Sequence, residues 1–257
     1  MSEPTVHDDS PNAERIAWWA GVVGQGWVAD EASYDRMLAP VLDALVAHLD
    51  PRPGERILDV GAGTGTSTLA VADRVGPDGH VTAADVSTPM LARAAERVAA
   101  AGIDDRVELL EVDVQVHPFP PAAFDAVTSR FGVMFFADPT AAFANVHAAT
   151  KDGGPSPLGD PHSLGDPDHV RRVLTDAGWR DVDLIPEEGE LHLGGPGDLD
   201  HGIDFATGRG TVRARLADAS EDVVAAAREA IADALAPRHD GTGVRLGYAA
   251  WIVTARR

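Results

Sequence analysis

The stretch at residues 57–65 constrains the fold of this chain more than any other feature. It reads ILDVGAGTG, which is a short apolar run, an acid, and then glycine at every second position. A glycine turn directly after a buried strand lets the backbone approach a ligand closely, and it points helix N–H groups into the same space. A helix is predicted immediately after the turn, over Thr66–Val75, so the stretch indicates a strand–turn–helix unit.

Strand and helix patterns continue to alternate after this turn. Strands are predicted at Arg56–Val60, His80–Val86, Val107–Val112 and Phe124–Ser129, with a helix in most of the connections. Short connections between alternating strands and helices require crossovers, and crossovers produce a parallel sheet with helices on both faces. The predicted fold class is therefore α/β, with a doubly wound sheet.

The length of 257 residues suits one domain, and we predict a single domain over 1–257. The N-terminal part, 1–52, is predicted to be a helical cap. The part at 53–154 is predicted to be the cofactor-binding half, and 155–257 to hold C-terminal helices and the last strands.

Composition excludes several function classes. The net charge is −20, so the surface repels phosphate backbones and anionic lipid, and we expect neither a nucleic-acid nor a membrane partner. The absence of cysteine excludes disulfides and thiolate ligands, and the ten histidines form no HxxxH or HxH cluster, so no metal is expected. No apolar run approaches the roughly 18 residues of a membrane span, and the N-terminus is acidic and polar. A cytoplasmic protein is expected.

The acid at the end of the second predicted strand narrows the ligand class. Asp85 lies 20 residues after Gly65, where a carboxylate can accept hydrogen bonds from both hydroxyls of a ribose. Its alternative role is to cap the next helix. The dinucleotide fingerprint GxGxxG would need glycine where Thr66 stands, and Asp59 is an anion where a pyrophosphate would be unfavourable. Asp59 can instead organise the loop around a zwitterionic amino acid, which favours S-adenosyl-L-methionine over a dinucleotide.

Two later stretches agree with that ligand. Asp113 and Val114 follow the third strand, where a carboxylate and a backbone N–H can meet the edge of an adenine. Ser129 and Arg130 end the fourth strand, at a loop that would border the methionine part of the cofactor.

Two long stretches can be compared with known families. The first reads ILDVGAGTGTSTLAVADRVGPDGHVTAADVSTPMLARAAERV, and the second reads VDVQVHPFPPAAFDAVTSRFGVMFFADP. Together they closely resemble class I S-adenosylmethionine-dependent methyltransferases of the small-molecule type, over roughly residues 15–154. The resemblance implies a mostly parallel Rossmann-like sheet with an antiparallel last strand under a helical N-terminal cap. It also implies a small-molecule substrate.

The resemblance implies roles for particular residues. It places cofactor contacts at the backbones of Gly61 and Gly63, ribose at Asp85, and adenine at Asp113 and Val114. The further candidate cofactor-binding residues are Asp59, Ala62, Val86, Met90, Ser129, Arg130, Trp27 and Tyr34. Met90 is expected either over an adenine face or in the core of its helix. Trp27 and Tyr34 are expected either to close over the cofactor or to pack within the cap.

The resemblance breaks after Gly153-Gly154, where a fifth parallel strand would be expected in the sheet order 3-2-1-4-5-7-6. From Lys151 to Asp168 no two apolar residues are adjacent, and prolines stand at 155, 157, 161 and 167. This pattern predicts that the fifth strand and the substrate-covering insertion are absent. The last strand, Val244–Ala255, is then predicted to lie antiparallel beside the fourth strand. The other explanation is a stretch of sequence missing from the chain.

Three functions follow, in order of preference. The first is S-adenosylmethionine-dependent methyl transfer to a small molecule. The second is a non-catalytic protein that binds the same cofactor and has lost turnover with its fifth strand, and the third is a dinucleotide-dependent oxidoreductase. No catalytic base is assigned, because His117 and His147, the histidines nearest the cofactor loops, are expected to be surface or core residues.

Overall fold

The computed structural model describes residues 10–155, 158–160 and 165–257. The helices in these ranges are α1 (Ala13–Ala20), α2 (Val22–Ala29), α3 (Glu31–Met37), α4 (Ala39–Leu49), α5 (Thr66–Val75), α6 (Thr88–Ala101), α7 (Pro139–Ala149), α8 (Pro167–Asp176), α9 (Leu199–Thr207), α10 (Gly210–Leu216) and α11 (Glu221–Leu235). The strands are β1 (Arg56–Val60), β2 (His80–Asp85), β3 (Val107–Glu111), β4 (Ala126–Arg130), β5 (Leu158–Asp160), β6 (Arg180–His192) and β7 (Arg245–Arg256). Two 3₁₀ turns, Gly132–Phe135 and Ala236–Arg238, complete the set.

The strands form one sheet in the order β3-β2-β1-β4-β5-β7-β6. Strand β1 is parallel to both β2 and β4, with Leu58 opposite Thr82 on one side and Val127 on the other. Strand β2 is parallel to β3, and β7 runs antiparallel to β5. These pairings confirm the predicted α/β class with an antiparallel last strand. Because β1 to β4 are parallel, their carboxyl ends meet at one edge, which is where ligands bind in open α/β sheets.

The predicted absence of the fifth strand is wrong. Strand β5 is only three residues long, yet it lies in the expected position, parallel to β4 through Leu158 opposite Ser129. In the sequence, the prolines at 157 and 161 lie outside Leu158–Asp160, so neither removes an N–H within this strand. A three-residue strand needs neither an alternating pattern nor an apolar run, and the sequence pattern therefore missed it.

The predicted position of the last strand is wrong for the same reason. Strand β7 pairs with β5, through Val253 opposite Leu158, and not with β4. Ile252 and Val253 are buried in this strand, whereas Trp251 is only partly buried.

The N-terminal segment is helical as predicted, with α1 ending at Gly21. Helix α4 buries one apolar face, which consists of Val41, Leu45, Val46 and Leu49. Two buried apolar clusters support the sheet, and Leu58 and Ile57, neighbours on β1, belong to different clusters. Trp179 is buried in the larger cluster, and its indole N–H donates to the Phe143 carbonyl at 3.0 Å.

Contacts between Cα atoms divide the described residues into two compact units. The first holds the residues as far as Val28, with Val41–Glu187 and Ala250–Arg257, and the second holds Ala29–Pro40 and Glu188–Ala249. The single domain over 1–257, with boundaries at 52 and 154, stays a prediction. No helix in the described ranges is long and apolar enough to cross a membrane.

Candidate functional site

The glycine turn after β1 is shaped by two residues with left-handed backbone. Gly61 has φ +69° and Gly63 has φ +58°, a region that side chains strongly disfavour. A Cβ atom on Gly61 would lie 2.5 Å from the Cα of Gly132, and one on Gly63 would lie 2.8 Å from the Cε of Met90. The N–H groups of Gly61 and Ala62 both donate to the Ala84 carbonyl, at 2.8 and 3.2 Å. These two N–H groups are therefore already bonded. What the turn offers a ligand is space that no side chain fills.

Asp59 lies at the end of β1, just before the glycine turn, and only one of its two carboxylate oxygens is hydrogen-bonded within the described residues. Its side chain is fully buried, and its Oδ2 accepts hydrogen bonds from Ser67 Oγ and Thr68 Oγ1, both at 2.7 Å. Among the described residues its Oδ1 has no hydrogen-bond partner, although that atom is buried. Burial raises the pKa of Asp59, against the two hydroxyl donors and the positive charge of Arg130. A buried carboxylate oxygen without a donor is unfavourable, so a donor brought by a ligand would be bound there.

Asp85 connects the end of β2 to the glycine turn. Its Oδ2 accepts from the Gly63 N–H at 2.7 Å, and its Oδ1 accepts from the Ser87 N–H at 2.8 Å. Burial raises the pKa of Asp85, the backbone donors lower it, and the charge of Asp59 raises it further. A carboxylate offers about four acceptor positions, and the backbones of Gly63, Ser87 and Val86 bond to this one, so it can still accept from a ligand. Ser87, and not Asp85, is the N-cap residue of α6.

The adenine candidates lie where β3 ends. Asp113 and Val114 are both buried. The carboxylate of Asp113 accepts from Ser10 Oγ at 2.5 Å, from Asn12 Nδ2 at 2.9 Å to each oxygen, and from the Gln115 N–H at 3.0 Å. The N-terminal segment therefore contacts this candidate directly.

The loop after β4 closes the other side of the turn. Ser129 is fully buried, and its Oγ accepts from the Gly132 N–H at 3.1 Å. Arg130 ends the strand and is partly buried. Phe131 has φ +66°, which is strained for a bulky residue. Strained residues are common at functional sites. Here the conformation of Phe131 turns the chain so that Gly132 contacts Gly61.

The remaining candidates lie on helices. Met90 is buried on α6 with its Cε toward Gly63, so it packs in the core and also borders the turn. Val86 is partly buried and precedes Ser87, the N-cap residue of α6. Trp27 packs edge-on against Trp19, with ring centres 6.0 Å apart. Tyr34 belongs to the second unit, where its ring lies 5.4 Å from that of Phe205.

Several residues at this edge were not predicted. Gly132 gave no signal beyond being a glycine in the predicted loop. Ser87 has the N-cap position of α6, and its Oγ donates to the Trp19 carbonyl at 2.7 Å. The contacts of Asn12 and Gln115 with Asp113 join residues far apart in sequence, so no local pattern could reveal them.

The two histidines nearest the cofactor loops have packing partners, as expected. The His117 ring lies 4.5 Å from that of Phe119, and the His147 ring lies 5.2 Å from that of Trp179. Within the described ranges, no three or more His, Cys, Asp or Glu side chains are grouped so as to hold a metal ion.

The fold and this edge define a doubly wound α/β domain of the kind that binds a nucleoside-containing cofactor. Residues 57–154 match the family described as "Methyltransferase domain". The ubiquinone/menaquinone biosynthesis C-methyltransferase UbiE of Ectopseudomonas mendocina is 36% identical over 164 residues, covering 59% of this chain and 62% of that protein. UbiE of Rhizobium leguminosarum bv. trifolii is 34% identical over 114 residues, which is 44% of each chain. This chain thus spans about half the length of these relatives.

Solved structures share the fold. The YcgJ protein from Bacillus subtilis superposes with a TM-score of 0.58 at 20% identity, covering 84% of this chain and 97% of that one. The family match lies on the part of the chain that holds the glycine turn and the acids at the ends of β2 and β3. Residues 57–154 are therefore similar to a methyltransferase domain.

Proposed function

We propose that this protein binds S-adenosyl-L-methionine at the carboxyl edge of β1 to β4 and transfers its methyl group to a small molecule. The observation that carries the proposal is the free Oδ1 of Asp59, a buried acceptor beneath a turn that leaves no room for side chains. The match of 57–154 to a methyltransferase domain supports it.

The residues present suit this cofactor. An ammonium group brings the donor that Asp59 Oδ1 lacks, and its positive charge favours the ionised form that burial disfavours. The sulfonium adds a second positive charge near Asp59 and Asp85. A dinucleotide would instead place a pyrophosphate at the glycine turn, where the carboxylate of Asp59 repels it. The charge of this edge therefore supports the methyltransferase hypothesis over the oxidoreductase.

Roles for the other residues follow from their positions. Asp85 would accept from the ribose hydroxyls, with Val86 and Met90 beside the adenine. Asp113 and the Val114 N–H would meet the adenine edge, and Ser129 and Arg130 would border the methionine part. The space at Gly61, Ala62 and Gly63 would take the cofactor itself, and Trp27 would close over it.

The bound cofactor supplies an electrophilic methyl group, so the chain has to orient the acceptor and exclude water. Trp19 is a candidate for the second task. Its ring packs edge-on against Phe135 at 5.0 Å, and its carbonyl is fixed by Ser87, the residue bound to Asp85. The apolar ring of Trp19 is therefore connected to the end of β2 through Ser87 and to the loop after β4 through Phe135.

The related UbiE proteins are named as C-methyltransferases, which makes a carbon acceptor a candidate here. We propose a small molecule as the substrate, with no nucleic-acid or membrane partner and a cytoplasmic location, on the support of the net charge of −20. The non-catalytic alternative loses its premise, because β5 is present.

Calorimetric titration of the purified chain tests the cofactor. S-adenosylhomocysteine should bind and NAD should not, and the reverse result would contradict the proposal. Transfer of a labelled methyl group from S-adenosylmethionine to a panel of phenols, amines and quinols then tests turnover. Binding without transfer to any of them would favour the non-catalytic alternative.

A further inference from the structure

The carboxylate of Asp113 is saturated by protein donors. A carboxylate offers about four acceptor positions. Here Oδ1 accepts from Asn12 Nδ2 and the Gln115 N–H, at 2.9 and 3.0 Å. Oδ2 accepts from Ser10 Oγ and Asn12 Nδ2, at 2.5 and 2.9 Å. An adenine amine could donate to Asp113 only by displacing one of these donors.

The Asn12 side chain bonds to residues that are distant in the sequence. It occupies the N-cap position of α1, but its side chain makes no capping bond. Its Oδ1 accepts from the Ala137 N–H at 2.6 Å, and its Nδ2 lies 3.3 Å from Gln115 Oε1. Gln115 Oε1 in turn accepts from the Asp138 N–H at 3.0 Å. The buried amide of Asn12 therefore links the end of β3 to the chain that follows the loop after β4.

Ser10 has a weaker attachment. Its side chain is partly buried, whereas Asn12 and Gln115 are both buried. Its hydroxyl donates to Asp113 and accepts from the Asn12 N–H at 3.0 Å. Both partners can be satisfied without it, Asp113 by another donor and the Asn12 N–H by water. Of the donors on Asp113, the Ser10 hydroxyl is thus the one most easily replaced.

We propose that Ser10 and Asn12 belong to the adenine subsite, with opposite effects on cofactor binding. Asn12 is a positioning residue that orients the Asp113 carboxylate. The Ser10 hydroxyl occupies the position on Oδ2 that the exocyclic amine of adenine takes, so cofactor binding exchanges one hydrogen bond for another at the N-terminal segment. This inference rests on the proposed function, which places adenine at Asp113.

Titration calorimetry of the full chain with S-adenosylhomocysteine tests the two roles together. Ser10→Ala should bind about 2- to 10-fold more tightly, because the competing hydrogen bond is gone. Asn12→Ala should bind about 10-fold or more weakly, because Asp113 loses the donor that orients it. The Ala137 N–H and Gln115 Oε1 also lose a hydrogen-bond partner. Ser220→Ala is the matched control: Ser220 lies in the second unit, at the N-cap of α11 without a side-chain capping bond, and its affinity should equal that of the parent.

S-inosylhomocysteine separates competition from a general effect on the fold. It carries a carbonyl oxygen where adenine has its exocyclic amine, so this position cannot donate to Asp113 and cannot replace the Ser10 hydroxyl. Ser10→Ala should leave its affinity unchanged. An equal gain for both ligands would overturn the competition, as would unchanged or weaker binding of S-adenosylhomocysteine by Ser10→Ala. If the parent chain binds no S-adenosylhomocysteine, it is the proposed function that fails. Should Asn12→Ala not fold, the two-ligand comparison at Ser10 still decides.

Discussion

Gly61 and Gly132 meet backbone to backbone, although 70 residues separate them in the sequence. A Cβ atom on Gly132 would lie 2.7 Å from the Cα of Gly61 and 2.6 Å from the carbonyl oxygen of Val60. Both neighbours are main-chain atoms, which cannot swing aside as the end of a side chain can. The loop after β4 is therefore held against the glycine turn at a distance that admits no side chain.

Gly132→Ala should separate these two segments. We expect a loss of about 1–3 kcal/mol in the free energy of unfolding, the usual result of inserting a methyl group into a closely packed place. Affinity for S-adenosylhomocysteine should fall as well, because the turn moves. Urea unfolding and calorimetry measure the two effects. Gly165→Ala is a suitable control, since among the described residues, apart from its chain neighbours, no atom lies within 4 Å of a Cβ at that position. An alanine at 132 with unchanged affinity would show that the contact does not shape the site.

Asp85→Ala should weaken S-adenosylhomocysteine binding by about 1–3 kcal/mol, because buried ribose hydroxyls lose an acceptor. The structure adds a second cause, since Gly63 and Ser87 lose the partner of their N–H groups. Calorimetry measures the loss, and Asp105→Ala, on an exposed turn, should bind normally. Unchanged affinity in Asp85→Ala would sink the ribose assignment.

Cofactor affinity should fall on acidification, starting above the usual titration range of an aspartate. Burial raises the pKa of Asp59 and of Asp85 from 3.8, and only the ionised forms attract a cationic ligand. Protonation as the pH falls through these raised pKa values therefore removes the attraction. Titrations at several pH values should show this decline for the parent and a smaller one for Asp59→Asn. Identical pH dependence in the two proteins would argue against Asp59 as the partner of the ammonium group.

The raised pKa of Asp59 also predicts how stability depends on pH: the ligand-free protein should lose stability as the pH rises, whereas cofactor affinity should increase. A carboxyl group whose folded pKa lies above its unfolded value stabilises the fold at low pH, and this contribution is lost as the pH rises through the folded pKa. The free energy of unfolding of Asp59→Asn should consequently fall less than that of the parent between acid and neutral pH. Urea unfolding across that interval measures the difference. A larger fall in the variant would mean that the ionised carboxylate stabilises the ligand-free protein.

Ligand binding should change the environment of Trp27 if the N-terminal helices close over the cofactor. We expect a change in tryptophan emission with S-adenosylhomocysteine that is lost in Trp27→Phe and retained in Trp18→Phe, since Trp18 is the more exposed ring. Hydrogen exchange in α1 and α2 should slow at the same time. Equal protection with and without ligand would leave Trp27 as a packing residue.

The sequence predicted those parts of the fold that are bounded by strong local signals. The bounds of β1 and α5 coincide with the predicted ones, because glycines stand between them and Gly76 ends the helix. Asp138 followed by a proline is a typical start of a helix, and the Asp138 side chain accepts from the Ala141 N–H at the N-cap of α7. The acids at 59, 85 and 113 lie together at one edge because they end or follow parallel strands.

Features that depend on partners distant in the chain were not predictable. Strand β5 exists because β4 and β7 lie on either side of it, and three residues carry no period of their own. The bond from Asn12 to Asp113 spans 101 residues between two polar side chains of ordinary type. Gly132 is one glycine among 26, and only its contact with Gly61 distinguishes it.

The brevity of β5 bears on how the molecule comes apart. Every residue proposed to touch the cofactor from the sheet side belongs to β1 to β4 or follows one of them. Strand β7 is joined to that half through the three residues of β5, through the bridge between Arg256 and Pro155, and through Val253 and Ala255 in the larger core cluster. The ladder of β5 is short, so we expect its amide hydrogens to exchange faster than those of the parallel strands. Local opening would then start at this strand while the proposed cofactor edge stays closed.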